Sequence, residues 1–419
     1  MLVGTAGDDV IVMLGGDDTV VASGGNDVVC DTGGAFEVFL GPGDDLFTSN
    51  SEARDPDDGP YLVGGGPGAD RIIMHTLADV RGGDGDDEIL LNAGGSAFGQ
   101  AGDDRLVGGG HDDYLHGGDG DDVLLGKAGD DELLGFDGED KLIGGKGADV
   151  MSGGLHDDLI KGGAGPDTMS DFHGFDRLYG GSGNDTINDE FGGTEIRGGK
   201  GADHIDAEGS TSRRSTIMGG PGADSILPSH TNVVVHGDGG PDIINSNLTN
   251  SEVYGDAGHD VILGNDAGEV KYWLGSGDDE FVGFGQWAVE VNGGPGDDVI
   301  TGSSASDILK GKSGDDFIDG REGNDQIDGG LDDDTIAGGQ HDDRISGGLG
   351  NDTCQAGQFD FTDLGSPGVI VTLLGAAASG DVAACESDWG RPDFVVLDGF
   401  EFLSSRTLAK YQNAAVEIP

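Results

Sequence analysis

Basic residues are scarce in this chain of 419 residues: 21 Lys and Arg stand against 81 Asp and Glu, a net charge of −60. So acidic a surface argues against nucleic acid and anionic membranes as partners. Long apolar runs are missing too, and none approaches the ~20 residues that span a bilayer. The opening MLVGTAGDDV has no basic segment followed by an apolar one. A Sec-type signal is therefore absent, or the chain is part of something longer. Three cysteines, Cys30, Cys354 and Cys385, cannot all pair and form no zinc-type cluster. No nucleophile elbow, HExxH helix or phosphate loop is found, and the expectation is a protein that is not an enzyme.

What the chain has instead is glycine, 86 residues of it, arranged with a period. Low hydrophobicity with this much charge ordinarily means disorder. The periodicity argues otherwise, provided that the charge is neutralised. From 99 to 170, nine-residue units follow one another without a gap: GGDGDDVLL (117–125), GKAGDDELL (126–134), GFDGEDKLI (135–143), GGKGADVMS (144–152) and so on. Position 1 is Gly throughout, position 6 is Asp and position 8 is apolar. A fixed period of this kind signals a repeat architecture.

Each position has a physical reading. Glycines at positions 1, 2 and 4 allow positive φ and bring backbone carbonyls close to a ligand. Carboxylate and carbonyl oxygens are hard donors that suit a hard divalent cation, above all calcium. Positions 7–9 read as a short strand with its middle side chain turned inward. Two units close a flattened loop, and stacked loops make a parallel β-roll with strands about 4.8 Å apart. Carboxylates stacked at that spacing repel by roughly 3–4 kcal/mol at an effective dielectric near 20, so a metal-free roll is not expected to hold.

Aligning the units on the position-6 Asp separates two turn edges. Edge A carries Asp9, Asp27, Asp45, Asp70, Asp87, Asp104, Asp122, Asp140 and Asp158. It is weak at Asp176, is lost afterwards, and returns at Asp307, Asp325 and Asp343. Edge B has a lone Asp18, then an unbroken row: Asp113, Asp131, Asp149, Asp167, Asp185, Asp203, Asp224, Asp242, Asp260, Asp279, Asp298, Asp316, Asp334 and Asp352. The expected segments are a mostly one-edged roll over 1–98, a two-edged roll over 99–170, a one-edged roll over 171–301 and a two-edged roll over 302–355. A non-repeat tail, 356–419, follows. Where a metal turn is lost the half-loop keeps an apolar residue: Val38, Ile196, Ile217, Val235, Val253 and Val291. Insertions such as SNSEARDPDDGP (49–60) and EGSTSRRST (208–216) fall in these halves.

The remaining signals are weaker. Histidine at position 4 (His111, His156, His341) reads as a turn former tolerant of positive φ rather than a metal ligand. Cys354 occupies an inward position 8 and reads as a small core residue, with a Cys354–Cys385 bridge as the alternative. Tyr254, Tyr272, Trp273, Phe281, Phe284 and Trp287 gather in the one-edged segment. Exposed, they would stack on sugar faces; the plainer reading is core and loop packing. The 14-residue separation of Trp273 and Trp287, in successive degenerate halves, predicts that they lie near each other on the edge without metals.

More than two dozen such units over about 1–355 resemble the RTX, haemolysin-type calcium-binding repeats. The resemblance implies an all-β, right-handed parallel β-roll or β-helix solenoid with calcium in the turns. It implies an ion between two turns on one edge, one loop apart, held by the position-6 carboxylates named above and by backbone carbonyls. Counting same-edge intervals gives about 23 calcium ions, one more if Asp176 takes part. The resemblance further implies type I secretion and folding on meeting extracellular calcium. GVIVTLLGAAASGD (368–381) and LDGFEFLSS (397–405) are similar to a non-repeat segment found between RTX blocks, where a capping strand or a secretion tail is the expected role. The functional expectation is a secreted or cell-surface, calcium-binding, monomeric structural protein. The alternatives are a polysaccharide-binding or polysaccharide-modifying β-helix, or the RTX module of a larger toxin or protease.

Overall fold

The computed structural model describes residues 1–14, 18–33, 36–49, 61–190, 195–208, 214–229, 231–264 and 268–355, with three further strands at Ile370–Leu373, Val382–Ala384 and Phe394–Leu397. These residues form short strands joined by turns, with no helix. The chain divides into two compact units, Met1–Ser210 and Thr211–Pro419. Each is a parallel β-solenoid in which successive strands alternate between two sheets.

The register follows from the repeat. Strand Val123–Ala128 pairs with Lys141–Lys146, two units on, so that Leu124 lies beside Leu142. Glu132–Asp137 pairs likewise with Val150–Leu155, and Leu133 lies beside Met151. Each position-8 side chain therefore stacks on its equivalent one loop away. In the first unit Leu106, Leu124, Leu142, Ile160, Leu178 and Ile196 line one sheet, and Leu115, Leu133, Met151, Met169, Ile187 and Ile205 the other, all buried. In the second unit Ile217, Val235, Val253, Tyr272, Val291 and Leu309 form the matching column. The apolar residues of half-loops that have lost a metal turn are thus core residues, as their spacing requires. Replacing Leu124 by Ala is expected to cost about 2–5 kcal/mol, because the rigid stack cannot collapse into the void. Denaturant unfolding in saturating calcium measures it.

The turns close tightly enough to dictate glycine. Gly118, at position 2, has φ of +138°, and a Cβ there would lie 2.0 Å from the carbonyl oxygen of Gln100 in the preceding loop. His156 and His341 adopt positive φ, 85° and 82°, as turn formers, whereas His111 does not.

Cys354 is fully buried at its inward position and is disulfide-bonded, which corrects its reading as a lone core thiol. Cys385 lies outside the described residues. So do 50–60 and 209–213, which hold most of the two insertions. Ile370–Leu373 and Val382–Ala384 continue the two sheets in parallel beyond Thr353–Gln355 and Arg344–Leu349. Phe394–Leu397 pairs in parallel with Ile370–Leu373, and the rest of the tail lies outside the described residues.

Candidate metal centre

The position-6 aspartates stand where two requirements meet. Each ends a turn, and its main chain enters the next strand, so the side chain folds back under the turn and is buried. Asp27, Asp122, Asp131 and Asp158 are all at most 1% exposed. Burial of a carboxylate demands partners, and the neighbouring loop provides one. The backbone N–H of Asp122 donates to Oδ1 of Asp140 at 2.8 Å, and that of Asp140 to Oδ1 of Asp158 at 2.7 Å.

The same bond repeats along each edge. In the first unit one row runs from Asp9 through Asp27, Asp45, Asp70, Asp87, Asp104, Asp122, Asp140 and Asp158 to Asp176. The opposite row runs from Asp113 through Asp131, Asp149, Asp167 and Asp185 to Asp203. In the second unit one row runs from Asp224 through Asp242, Asp260, Asp279, Asp298, Asp316 and Asp334 to Asp352. The other links Asp307, Asp325 and Asp343. The edge-A row thus takes in Asp176, where its turn motif weakens: Asp176 is buried and accepts from Asp158 like any other member. Asp18, by contrast, begins the strand Asp18–Val21 beside Phe36 and belongs to no row.

Only Oδ1 is used in this way. The second oxygen, Oδ2, of Asp27, Asp45, Asp87, Asp122, Asp131, Asp149, Asp260 and Asp316 is buried without any hydrogen-bond partner. Where position 1 is glycine, as at Gly82, Gly117, Gly126, Gly144, Gly255 and Gly311, Oδ2 faces it; Ala22 and Leu40 hold that position in the turns of Asp27 and Asp45. A Cβ on Gly126 would lie 2.3 Å from Oδ2 of Asp131 and 2.8 Å from the carbonyl oxygen of Gly144, one loop on. Glycine therefore lets a carboxylate oxygen and a carbonyl oxygen from adjacent loops converge where a side chain would clash with both. Hard oxygen donors and no nitrogen or sulfur suit calcium. The carboxylates fit that ion, and Gly126→Ala is expected to remove binding at one place in the row. Gly110→Ala, where no atom lies within 4 Å, leaves the ion count unchanged. Metal analysis of the two variants checks this.

Without a cation these groups resist ionisation. Burial, against hydrogen bonds that favour the anion, pushes Asp104 up to about 6, Asp122 to about 8 and Asp158 to about 9, with neighbouring carboxylates adding to the effect. The first members of three rows behave differently. Oδ2 of Asp9, Asp113 and Asp307 accepts the N–H of the residue four earlier, Thr5, Gly109 and Ser303. There the chain satisfies its own oxygen.

Two features escaped sequence reasoning. Position 5 forms a second, exposed ladder with the opposite sense: Asp121 N–H donates to Oδ1 of Asp103, and Glu139 N–H to Oδ1 of Asp121. The available signal was the recurrence of Asp and Asn there, as at Asn26, Asn184 and Asn324. Second, aspartate replaces the position-1 glycine at Asp31, Asp171 and Asp189, and all three are buried.

The expected nearness of Trp273 and Trp287 is corrected, whereas the core reading holds for Tyr272 and Phe281. Tyr272 and Phe281 are core residues, with the Tyr272 hydroxyl 2.9 Å from that of Ser246. Trp273 ends the strand Val270–Trp273 and is paired one loop on with Asn292, midway along Val289–Pro295, whereas Trp287 precedes that strand. Their separation of fewer residues than a full loop places them at opposite ends of a strand, so they form no platform. Trp273 stacks on Tyr254 at 4.5 Å and 6°, and Tyr254 on His236 at 4.6 Å and 8°. Both faces of Tyr254 are thus taken up, while Phe284 and Trp287 are exposed.

A family model of the RTX calcium-binding nonapeptide repeat matches residues 1–29, 98–133, 134–169, 174–188, 236–267, 292–327, 301–336 and 319–354. No curated protein matches the chain.

Proposed function

Because the chain belongs to the RTX calcium-binding nonapeptide repeat family, we propose that it is a secreted, non-enzymatic structural protein whose roll is completed by its ions. Its repeats are calcium-binding; the residues that hold the metal, the ion number and the role outside the cell are the proposal. The observation that carries it is the row of buried Oδ2 atoms without a partner. Buried carboxylates left in that state cost several kcal/mol each unless a counter-charge reaches them. Bound calcium supplies that counter-charge and nothing catalytic. The protein's part is to hold Oδ1 by a backbone N–H, so that Oδ2 keeps one orientation in every loop.

About 23 ions, or one more with Asp176, would be held by position-6 carboxylates one loop apart. Export by a type I system suits a chain that stays unfolded at low intracellular calcium and orders outside. The sugar-binding alternative is less favoured, since Tyr254 is stacked on both faces, by His236 and Trp273, and Tyr272 and Phe281 are buried. Metal analysis after equilibrium dialysis against calcium tests the reading: some two dozen ions per chain support it, and a handful would contradict it.

A further inference from the structure

Where the edge-A row ends, the turn changes its chemistry. Residues 171–176 read DFHGFD in place of GGxGxD, so Asp171 stands where a position-1 glycine is the rule. It closes the strand Thr168–Asp171 and is fully buried. We propose that Asp158, Asp171 and Asp176 form a separate three-carboxylate site for a hard cation, which takes calcium more tightly than the two-carboxylate intervals of the regular rows. This rests on the reading that the buried Oδ2 atoms face calcium, and adds to it a distinct class of site.

The geometry is specific to this turn. One carboxylate oxygen from each of the three lies within 4.8 Å of the others. Oδ1 of Asp171 accepts the N–H of Phe172 at 2.7 Å and of Gly154 at 3.3 Å. Oδ1 of Asp158 accepts from Asp140, and Oδ1 of Asp176 from Asp158. Oδ2 of all three is buried with no hydrogen-bond partner, and the side chains are at most 1% exposed. Among the described residues no Lys or Arg pairs with any of them.

Two of the oxygens converge on Gly153, which has no side chain to keep them apart. A Cβ on Gly153 would lie 2.5 Å from Oδ2 of Asp158 and 2.5 Å from Oδ2 of Asp171. Asp189, beside Asp171 one loop on, adds its negative charge to Asp171 and Asp176. All the donors are oxygens, which selects calcium or a lanthanide over a transition metal. Affinity for such ions rises with the number of charged ligands, and three carboxylates exceed the regular two.

The test uses the full chain dialysed against chelator-buffered calcium, with bound metal counted at each free concentration. The wild type is expected to retain one ion at roughly ten-fold lower free calcium than the rest require. Asp171→Gly, which restores the regular turn, is expected to lose that tight ion while keeping an ordinary one at the same place. Asp149→Asn, on the other edge, is expected to weaken the ordinary class and leave the tight ion bound. Circular dichroism at saturating calcium reports whether each variant has folded. A wild type that binds many ions in a single class overturns the inference and leaves the wider reading standing. So does an Asp171→Gly variant that keeps the tight ion. A wild type that binds no calcium overturns both.

Discussion

In chelator the chain is expected to lose most of its β signal in circular dichroism, and to regain it cooperatively as calcium rises toward extracellular levels. The stacked carboxylates repel by roughly 3–4 kcal/mol per neighbouring pair, and each buried Oδ2 lacks a partner, so metal binding becomes folding free energy. About 23 ions bring roughly +46 against the −60 of the chain, leaving a residue of charge that an exposed acidic surface tolerates. Individual sites of roughly 10⁻⁴–10⁻³ M suffice when so many act together. Asp131→Ala removes the Oδ1 that holds the Asp113 N–H and an Oδ2 facing Gly126, so the intervals toward Asp113 and Asp149 are both disturbed. It is expected to move the calcium midpoint well above that of Asp18→Ala, because Asp18 belongs to no row. A chain equally structured with and without chelator would falsify this account.

The second large effect concerns pH. Burial, with help from neighbouring carboxylates, raises Asp87, Asp122 and Asp298 to about 8 and Asp131 and Asp140 to about 7, from an ordinary value of 3.8. A raised carboxyl pKa means that the metal-free fold holds its protons more tightly than the unfolded chain does. The stabilisation it brings is therefore full below about pH 4 and is lost as pH rises through 6 to 9. In chelator, acidification from pH 8 to pH 4 is expected to restore part of the β signal. In calcium the direction reverses, because protons and metal compete for the same oxygens, and the calcium midpoint rises as pH falls. Dichroism across a pH series, with and without calcium, checks both signs. A metal-free chain that becomes more ordered toward pH 8 is the contrary result.

Much of this was legible in the chain itself, because a solenoid makes sequence distance and spatial distance nearly the same quantity. A residue meets its equivalent one loop away, and a period of nine names which positions turn, which enter the core and which face an edge. Leu124 beside Leu142, and Asp122 beside Asp140, follow from counting. So do the core roles of Val38, Ile217 and Val291 in half-loops that carry no metal turn.

The Trp273 error shows where counting stops. Two residues within one nominal segment but less than a loop apart fall at opposite strand ends, and only the register reveals which partner each one meets.

The amino-acid order by itself determined the loop length, the two rows of aspartates and the apolar column of each sheet, since these depend on each unit's own residues. Only the tertiary structure decided how the two oxygens of one carboxylate divide their tasks, Oδ1 to a backbone N–H and Oδ2 to the space beside glycine. It alone brought Asp171 between Asp158 and Asp176. The physical reason is that hydrogen-bond direction and side-chain approach belong to pairs of adjacent loops, and a unit's composition is silent about which way its neighbour's N–H will point.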